Sequence, residues 1–251
     1  MKVFPMTRAF RLRLERLAAV WRREGIASTA RHLGARSLHR LVWFIDDRIV
    51  WGRIAKRTRK IVAVEQMAIT GLNRDLANHY EATPTPTLLM WFIRRVLPKD
   101  RSTWSFIDVG AGKGRAVAAA AKQGFRTVLG IELARDLCVE ANRMLTDLNL
   151  TNGGQVRVEE ADATQFQVPS GPCLFYLFNP FKEEVVSGFL DHVYANYLRD
   201  PRPIRFVYLY PVHQIVFEQR RGIKRVIPNR TVAALFALLS FWSVAVFEIA
   251  S

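Results

Sequence analysis

The chain has 251 residues, half of them hydrophobic, which suffices for one sizeable core plus an extension. Its two cysteines, Cys138 and Cys173, are too few and too scattered for a disulfide framework or a zinc site, which suits a reducing, cytoplasmic setting, and the five histidines show no ligand spacing, so no metal is expected. The formal net charge of +15 is uneven: residues 1 to 60 carry 16 Lys or Arg against 4 Asp or Glu, whereas the remainder carries 21 against 18.

The basic character thus belongs to the N-terminal extension, residues 1–79. Phe10, Leu14, Leu17, Ala18 and Trp21 fall on one helical face with Arg11, Arg13, Arg16, Arg22 and Arg23 mostly elsewhere, which predicts a basic amphipathic helix. Three roles compete for residues 1–60. A helical lid on the remainder of the chain is favoured; peripheral attachment to a membrane follows, supported by Trp21, Trp43, Trp51 and the apolar stretch Leu41 to Ile45; nucleic-acid contact comes third. Helices are then expected over Lys60 to Ala77 and Leu88 to Leu97. The prolines of Tyr80-Glu81-Ala82-Thr83-Pro84-Thr85-Pro86 force a turn between them.

Residues 80–251 carry the chemistry. Phe106-Ile107-Asp108-Val109-Gly110-Ala111-Gly112-Lys113-Gly114-Arg115 reads as a buried strand, a glycine-rich turn and the start of a helix through Ala121. Such a turn brings the backbone close to a ligand, at a helix N-terminus with free N–H groups. The third glycine comes one position early for a dinucleotide fingerprint. Asp108 at the strand end would repel a pyrophosphate yet suit an ammonium or sulfonium group, which disfavours a nicotinamide-dependent oxidoreductase. Arg126 to Leu133 is a second strand, ending on Glu132, 24 positions after Asp108, where an acid can accept both hydroxyls of a ribose. A third, Gln155 to Val158, leads to Asp162, placed to accept an exocyclic adenine amine. A fourth, Cys173 to Phe178, ends on Asn179-Pro180-Phe181.

With these four strand ends the region from Tyr80 onward resembles the class I, seven-stranded S-adenosylmethionine-dependent methyltransferases. The resemblance implies an α/β, doubly wound, mostly parallel seven-stranded sheet with helices on both faces and S-adenosyl-L-methionine as cofactor. It implies that the loop of Asp108, Gly110, Ala111, Gly112 and Gly114 holds the methionine end, Glu132 with Leu133 the ribose, and Asp162 with Ala163 the adenine. Asn179, Pro180 and Phe181 stand where the family places its acceptor motif. An asparagine oxygen and a proline carbonyl there accept hydrogens from an amine, and an aromatic ring encloses the nitrogen. Phe181 replaces the second proline of the amino-methyltransferase pattern, which weakens the case for adenine or glutamine and leaves a protein lysine, another amine or a small molecule open. Tyr80 and Thr83 resemble a Tyr-x-x-Thr-Pro segment that folds over the cofactor in some lysine methyltransferases of this fold. The alternative function is a non-catalytic methyltransferase-like protein tethered to membrane or nucleic acid by its basic segment.

Further elements complete the sheet: a helix over Glu183 to Leu198 and strands over Ile204 to Tyr210 and Lys224 to Ile227. The stretch Val232 to Phe247, without a charge, splits into a helix capped by Thr231 and running to Leu239, and a closing strand from Trp242 to Ile249. It is shorter than a spanning helix requires.

Overall fold

Strands that run as unbroken apolar segments demand cover on both faces, and the computed structural model, which describes residues 38–69, 76–226, 229–240 and 242–249, supplies it. Seven strands, β1 (Ser105–Val109), β2 (Thr127–Glu132), β3 (Val156–Glu160), β4 (Cys173–Phe178), β5 (Ile204–Leu209), β6 (Ile223–Val226) and β7 (Val244–Ile249), form one sheet in the order β3-β2-β1-β4-β5-β7-β6. β1 pairs in parallel with β2 and β4, and β5 continues the parallel run, whereas β7 runs antiparallel to both β5 and β6.

On one face Phe106, Leu174, Tyr176, Val207 and Val246 pack under the helices α2 (Pro86–Val96), α3 (Arg115–Ala120), α4 (Arg135–Asp147) and α7 (Arg230–Ser240). On the other, Ile107, Val109, Phe175, Phe206 and Phe247 pack under α5 (Glu183–Arg199) and α6 (Gln214–Glu218). The sheet is therefore doubly wound, as the resemblance implied. The outer strand β3 is blunted by α4: Asn142 Nδ2 donates to the Val158 carbonyl at 2.7 Å, and its Oδ1 accepts the Val158 N–H at 3.0 Å.

Upstream of the sheet, a helical stretch over 38–44 widens into a π-helical turn, Ile45–Val50, followed by α1 (Gly52–Thr58). The amphipathic helix expected over residues 10–23 lies outside the described residues. The helix expected over Lys60 to Ala77 is not formed in its described part. Val62 instead makes an antiparallel bridge with Tyr80, Val64–Gln66 is a single 3-10 turn, and Ala77 bridges Phe181. The β-branched Ile61, Val62 and Val64 tolerate extended backbone, and a partner 18 residues away in sequence outcompetes the local turn. A smaller correction concerns α7. Asn229, rather than Thr231, caps it, its Oδ1 accepting the N–H groups of Thr231 at 2.9 Å and Val232 at 3.4 Å.

Candidate functional site

The glycine loop after β1 is pinned to β2, because the N–H groups of Gly110 and Ala111 both donate to the Ile131 carbonyl, at 2.8 and 3.0 Å. Gly110 and Gly112 adopt φ of +78° and +52°. A Cβ on Gly112 would fall 2.2 Å from the Tyr80 ring, and one on Gly110 would fall 2.4 Å from the Pro180 side chain. Both positions therefore need glycine for backbone and for room. Gly114 lies against α4, where a Cβ would sit 3.1 Å from that of Ala141, so its bareness serves packing.

Glu132 ends β2 and grips two loops at once. Its Oε2 accepts the Gly112 N–H at 2.7 Å and its Oε1 the Ala134 N–H at 2.9 Å. Each carboxylate oxygen keeps a second lone pair for a ligand hydroxyl. Burial pushes this carboxyl up, while the N–H groups of Ala134, Gly112 and Leu133 pull it down. Asp108, on the neighbouring strand and 3% exposed, is pushed up to about 8 by burial and then by the Glu132 charge.

At the end of β3, Asp162 Oδ1 accepts the N–H and the hydroxyl of Thr164 at 2.8 and 2.7 Å. With Leu133, Ala163, Phe181 and Val185, Asp162 borders a niche of about 10 Å³. A larger cavity of about 170 Å³ is bordered by Gly110, Glu132, Leu133, Asn179, Pro180 and Phe181, and by Tyr80, Asn78 and Tyr210. Leu133 and Phe181 wall both spaces.

Asn179 ends β4 with φ of +40°, and its Oδ1 is buried without a hydrogen-bond partner among the described residues. The segment 76–80 lies across this motif like a strap. Asn78 Nδ2 donates to the Asn179 carbonyl at 2.9 Å, the Asn78 N–H to the Pro180 carbonyl at 3.2 Å, and the Lys182 N–H to the Leu76 carbonyl at 3.0 Å. Tyr80 covers Gly112 with its ring, and its hydroxyl donates to the Thr58 carbonyl at 2.7 Å.

Of the residues expected from sequence, the structure gathers Gly110, Glu132, Leu133, Asn179, Pro180, Phe181 and Tyr80 around one cavity, and Asp162 and Ala163 around the adjoining niche. Asp108, buried near the end of β1, lines neither space. Thr83 does not line either space; its hydroxyl accepts the Tyr176 hydroxyl at 3.4 Å in the interior. Sequence reasoning passed over Asn78, whose partners lie a hundred residues away, and Tyr210. The aromatic residue at the end of the fifth strand was the only signal for Tyr210.

The donor set suits an adenosyl ligand in kind: a carboxylate for a diol, an apolar niche edged by an acid for a base, and a glycine cradle beside a buried acid for a cationic end. The cavity of about 170 Å³ is smaller than the roughly 300 to 1,000 Å³ usual for small-molecule pockets, and residues 77–80 of the strap form part of its wall.

No protein-family model matches the chain, and no curated protein matches it in sequence. Among solved structures, it is similar to a ribosomal protein L11 methylase from Lactobacillus delbrueckii subsp. bulgaricus, at 14% identity over 65% of this chain and 78% of that one, with a TM-score of 0.41. A predicted N6-adenine-specific DNA methylase from Listeria monocytogenes matches at 14% identity over 68% of this chain, with a TM-score of 0.46; the chain spans about half of that protein's length, 52%. An RNA methyltransferase from Salinibacter ruber in complex with S-adenosyl-L-homocysteine matches at 16% identity over 68% of this chain and 94% of that one, with a TM-score of 0.40. The decisive feature is the sheet itself: seven strands, mostly parallel, helices on both faces, and the glycine loop at the carboxyl edge of β1. The fold is a doubly wound, mostly parallel α/β sheet, as the resemblance drawn from the sequence implied. In that fold the carboxyl edge of the parallel strands is where ligands sit, and here Glu132, Asp162 and Asn179 all stand on it.

Proposed function

We propose that the chain binds S-adenosyl-L-methionine and transfers its methyl group to the nitrogen of an amine acceptor, a protein lysine or another amine. The observation that carries this reading is the convergence of Glu132, Asp162 and Asn179, whose Oδ1 has no hydrogen-bond partner among the described residues, from three strand ends, on adjoining cavities beside the glycine loop. When bound, the cofactor supplies an electrophilic methyl group on a sulfonium centre. Glu132 accepts the ribose hydroxyls while its bond to Gly112 holds the loop in shape. Leu133, Ala163 and Phe181 enclose the base, and Asp162 accepts its exocyclic amine. The glycine loop faces the cationic methionine end, and the buried Asp108 beneath it supplies a favourable charge when ionised.

On the acceptor side, the chain's task is positioning and exclusion of water. The Asn179 Oδ1 and the Pro180 carbonyl accept hydrogens of an uncharged amine and leave its lone pair directed at the methyl group. The Pro180 carbonyl is engaged by the Asn78 N–H, so strap movement that admits the cofactor also frees the acceptor subsite. Phe181 and Lys182 in place of a second proline and an aromatic residue favour a flexible amine over a planar adenine.

The test is calorimetric titration with S-adenosylmethionine and S-adenosylhomocysteine, with NAD as control, followed by incubation of extracts with labelled methyl donor. Binding of the first two alone is expected, as is label in an amine-bearing acceptor. A folded sample that binds neither would overturn the proposal; binding without transfer would favour the tethered, non-catalytic alternative.

A further inference from the structure

Residues 38–50 of the N-terminal extension have their polarity turned inside out. Asp46 and Asp47 are 5% and 1% exposed, whereas Leu41, Phe44, Ile49 and Val50 on the same helical run are 55%, 54%, 70% and 55% exposed. A helix surrounded by water arranges these residue types the other way round. Beside it lies α7, an element without a charged side chain after Arg230, which exposes Leu235 and Leu238 by 40% and 49%. The two are neighbours. The His39 ring nitrogen meets the Leu239 carbonyl at 3.3 Å, and both segments wall an apolar groove of about 400 Å³. Of the 15 large hydrophobic residues exposed among the described ones, nine fall on these two neighbouring segments, so the exposed apolar surface is concentrated there rather than scattered.

The rim of that face is basic. Arg40, Arg48, Arg53 and Lys56 are exposed on the same extension. An adjoining groove of about 810 Å³, walled in part by Trp51 and Trp91, adds Arg94 and Lys122, with no acid among its lining residues. We propose that this face rests on an anionic lipid bilayer, with the apolar side chains of 38–50 and α7 inserted at the headgroup level and the arginines and lysines against lipid phosphates. The mode is surface seating: no helix among the described residues is long and apolar enough to cross a membrane, and α7 has 11 residues. A nucleic acid would engage the basic rim but offers nothing to the exposed Ile49, Val50, Leu235 and Leu238. A second copy of the chain would bring an identical basic rim against this one. The inference is independent of the proposed methyl transfer.

The test is flotation of the full chain with phosphatidylcholine vesicles, with and without phosphatidylglycerol, for the parent and two double variants, I49E with V50E and L235E with L238E. The replaced side chains are exposed, so an unchanged thermal melt and unchanged S-adenosylhomocysteine binding serve as fold controls. Binding that requires phosphatidylglycerol and falls by about tenfold or more in each double variant is expected. Absence of flotation would overturn the proposal. So would flotation that survives both double variants, which would assign lipid binding to basic residues elsewhere. A concentration-dependent dimer in gel filtration that both variants abolish would assign the face to a second copy and equally overturn it.

Discussion

Asp108 and Glu132 end adjacent strands with both carboxyl groups buried, and nature's usual remedy for such a pair is a proton or a cation. An unfolded aspartate ionises near pH ~3.9, whereas Asp108 in the fold holds its proton up to about 8. Between those values the folded chain binds one proton more than the unfolded chain. The stability this carboxyl contributes is therefore fully present below about pH 4 and is lost as pH rises through about 8. Asp108→Asn should accordingly stabilise the ligand-free protein near pH 8, by on the order of 1 to 3 kcal/mol, and flatten the dependence of its melting temperature on pH. A cationic methionine end reverses the preference by favouring the ionised acid. Cofactor affinity should then rise with pH up to about 8, by at most tenfold per unit, with release of up to one proton. Titration calorimetry in two buffers of different ionisation enthalpy measures that proton. Affinity independent of pH, with equal heats in both buffers, would place the cationic end away from Asp108.

The extension is joined to the glycine-loop helix by a buried ion pair, which makes its elements part of the fold rather than an appendage. Asp47 Oδ1 meets the Arg115 guanidinium at 2.5 Å, with side chains 1% and 2% exposed, and its other oxygen is taken by Arg59. Asp46 beside it is pushed up by burial, offset by its bonds to Thr87 and the charge of Arg115. Removing one partner of a buried pair leaves a desolvated charge behind, so Asp47→Asn should destabilise the protein by about 3 to 5 kcal/mol. Arg57 and Asp147 form the contrasting case, a pair at 2.6 Å with both side chains 45% exposed. Arg57→Ala should therefore cost no more than about 1 kcal/mol. Urea titration of both variants makes the comparison. The double change Asp47→Leu with Arg115→Met should recover much of the loss, because it removes both charges together. Equal, small effects of Asp47→Asn and Arg57→Ala would mean that this junction is solvated and that the extension moves freely on α3.

At the scale of the whole molecule, what sequence disclosed and what it concealed divide along the distance between partners. Buried parallel strands announce themselves as unbroken apolar runs, and acids at their carboxyl ends mark the ligand edge, so β1 to β4 and the positions of Asp108, Glu132, Asp162 and Asn179 were readable locally. The bridge from Val62 to Tyr80, the clasp of Asn78 on Asn179 and Pro180, and the Asp47–Arg115 pair were not, because each joins residues far apart in sequence. The strap lies across residues 179–182 and walls a cavity of about 170 Å³, below the usual range for small-molecule pockets, so parting it is expected to widen the space, with the apparent affinity reduced by the open fraction. Asn78→Ala removes the side-chain bond to the Asn179 carbonyl while keeping the backbone bond to Pro180. The loss of one such bond, about 1 kcal/mol, should raise the open fraction and hence the association rate for S-adenosylhomocysteine about fivefold. The dissociation rate should change less, since the strap is displaced in the open form. Stopped-flow binding with the parent and the variant measures both rates. An unchanged association rate would mean that the ligand enters without parting the strap from the Asn179 motif, and that the acceptor subsite opens by a separate motion.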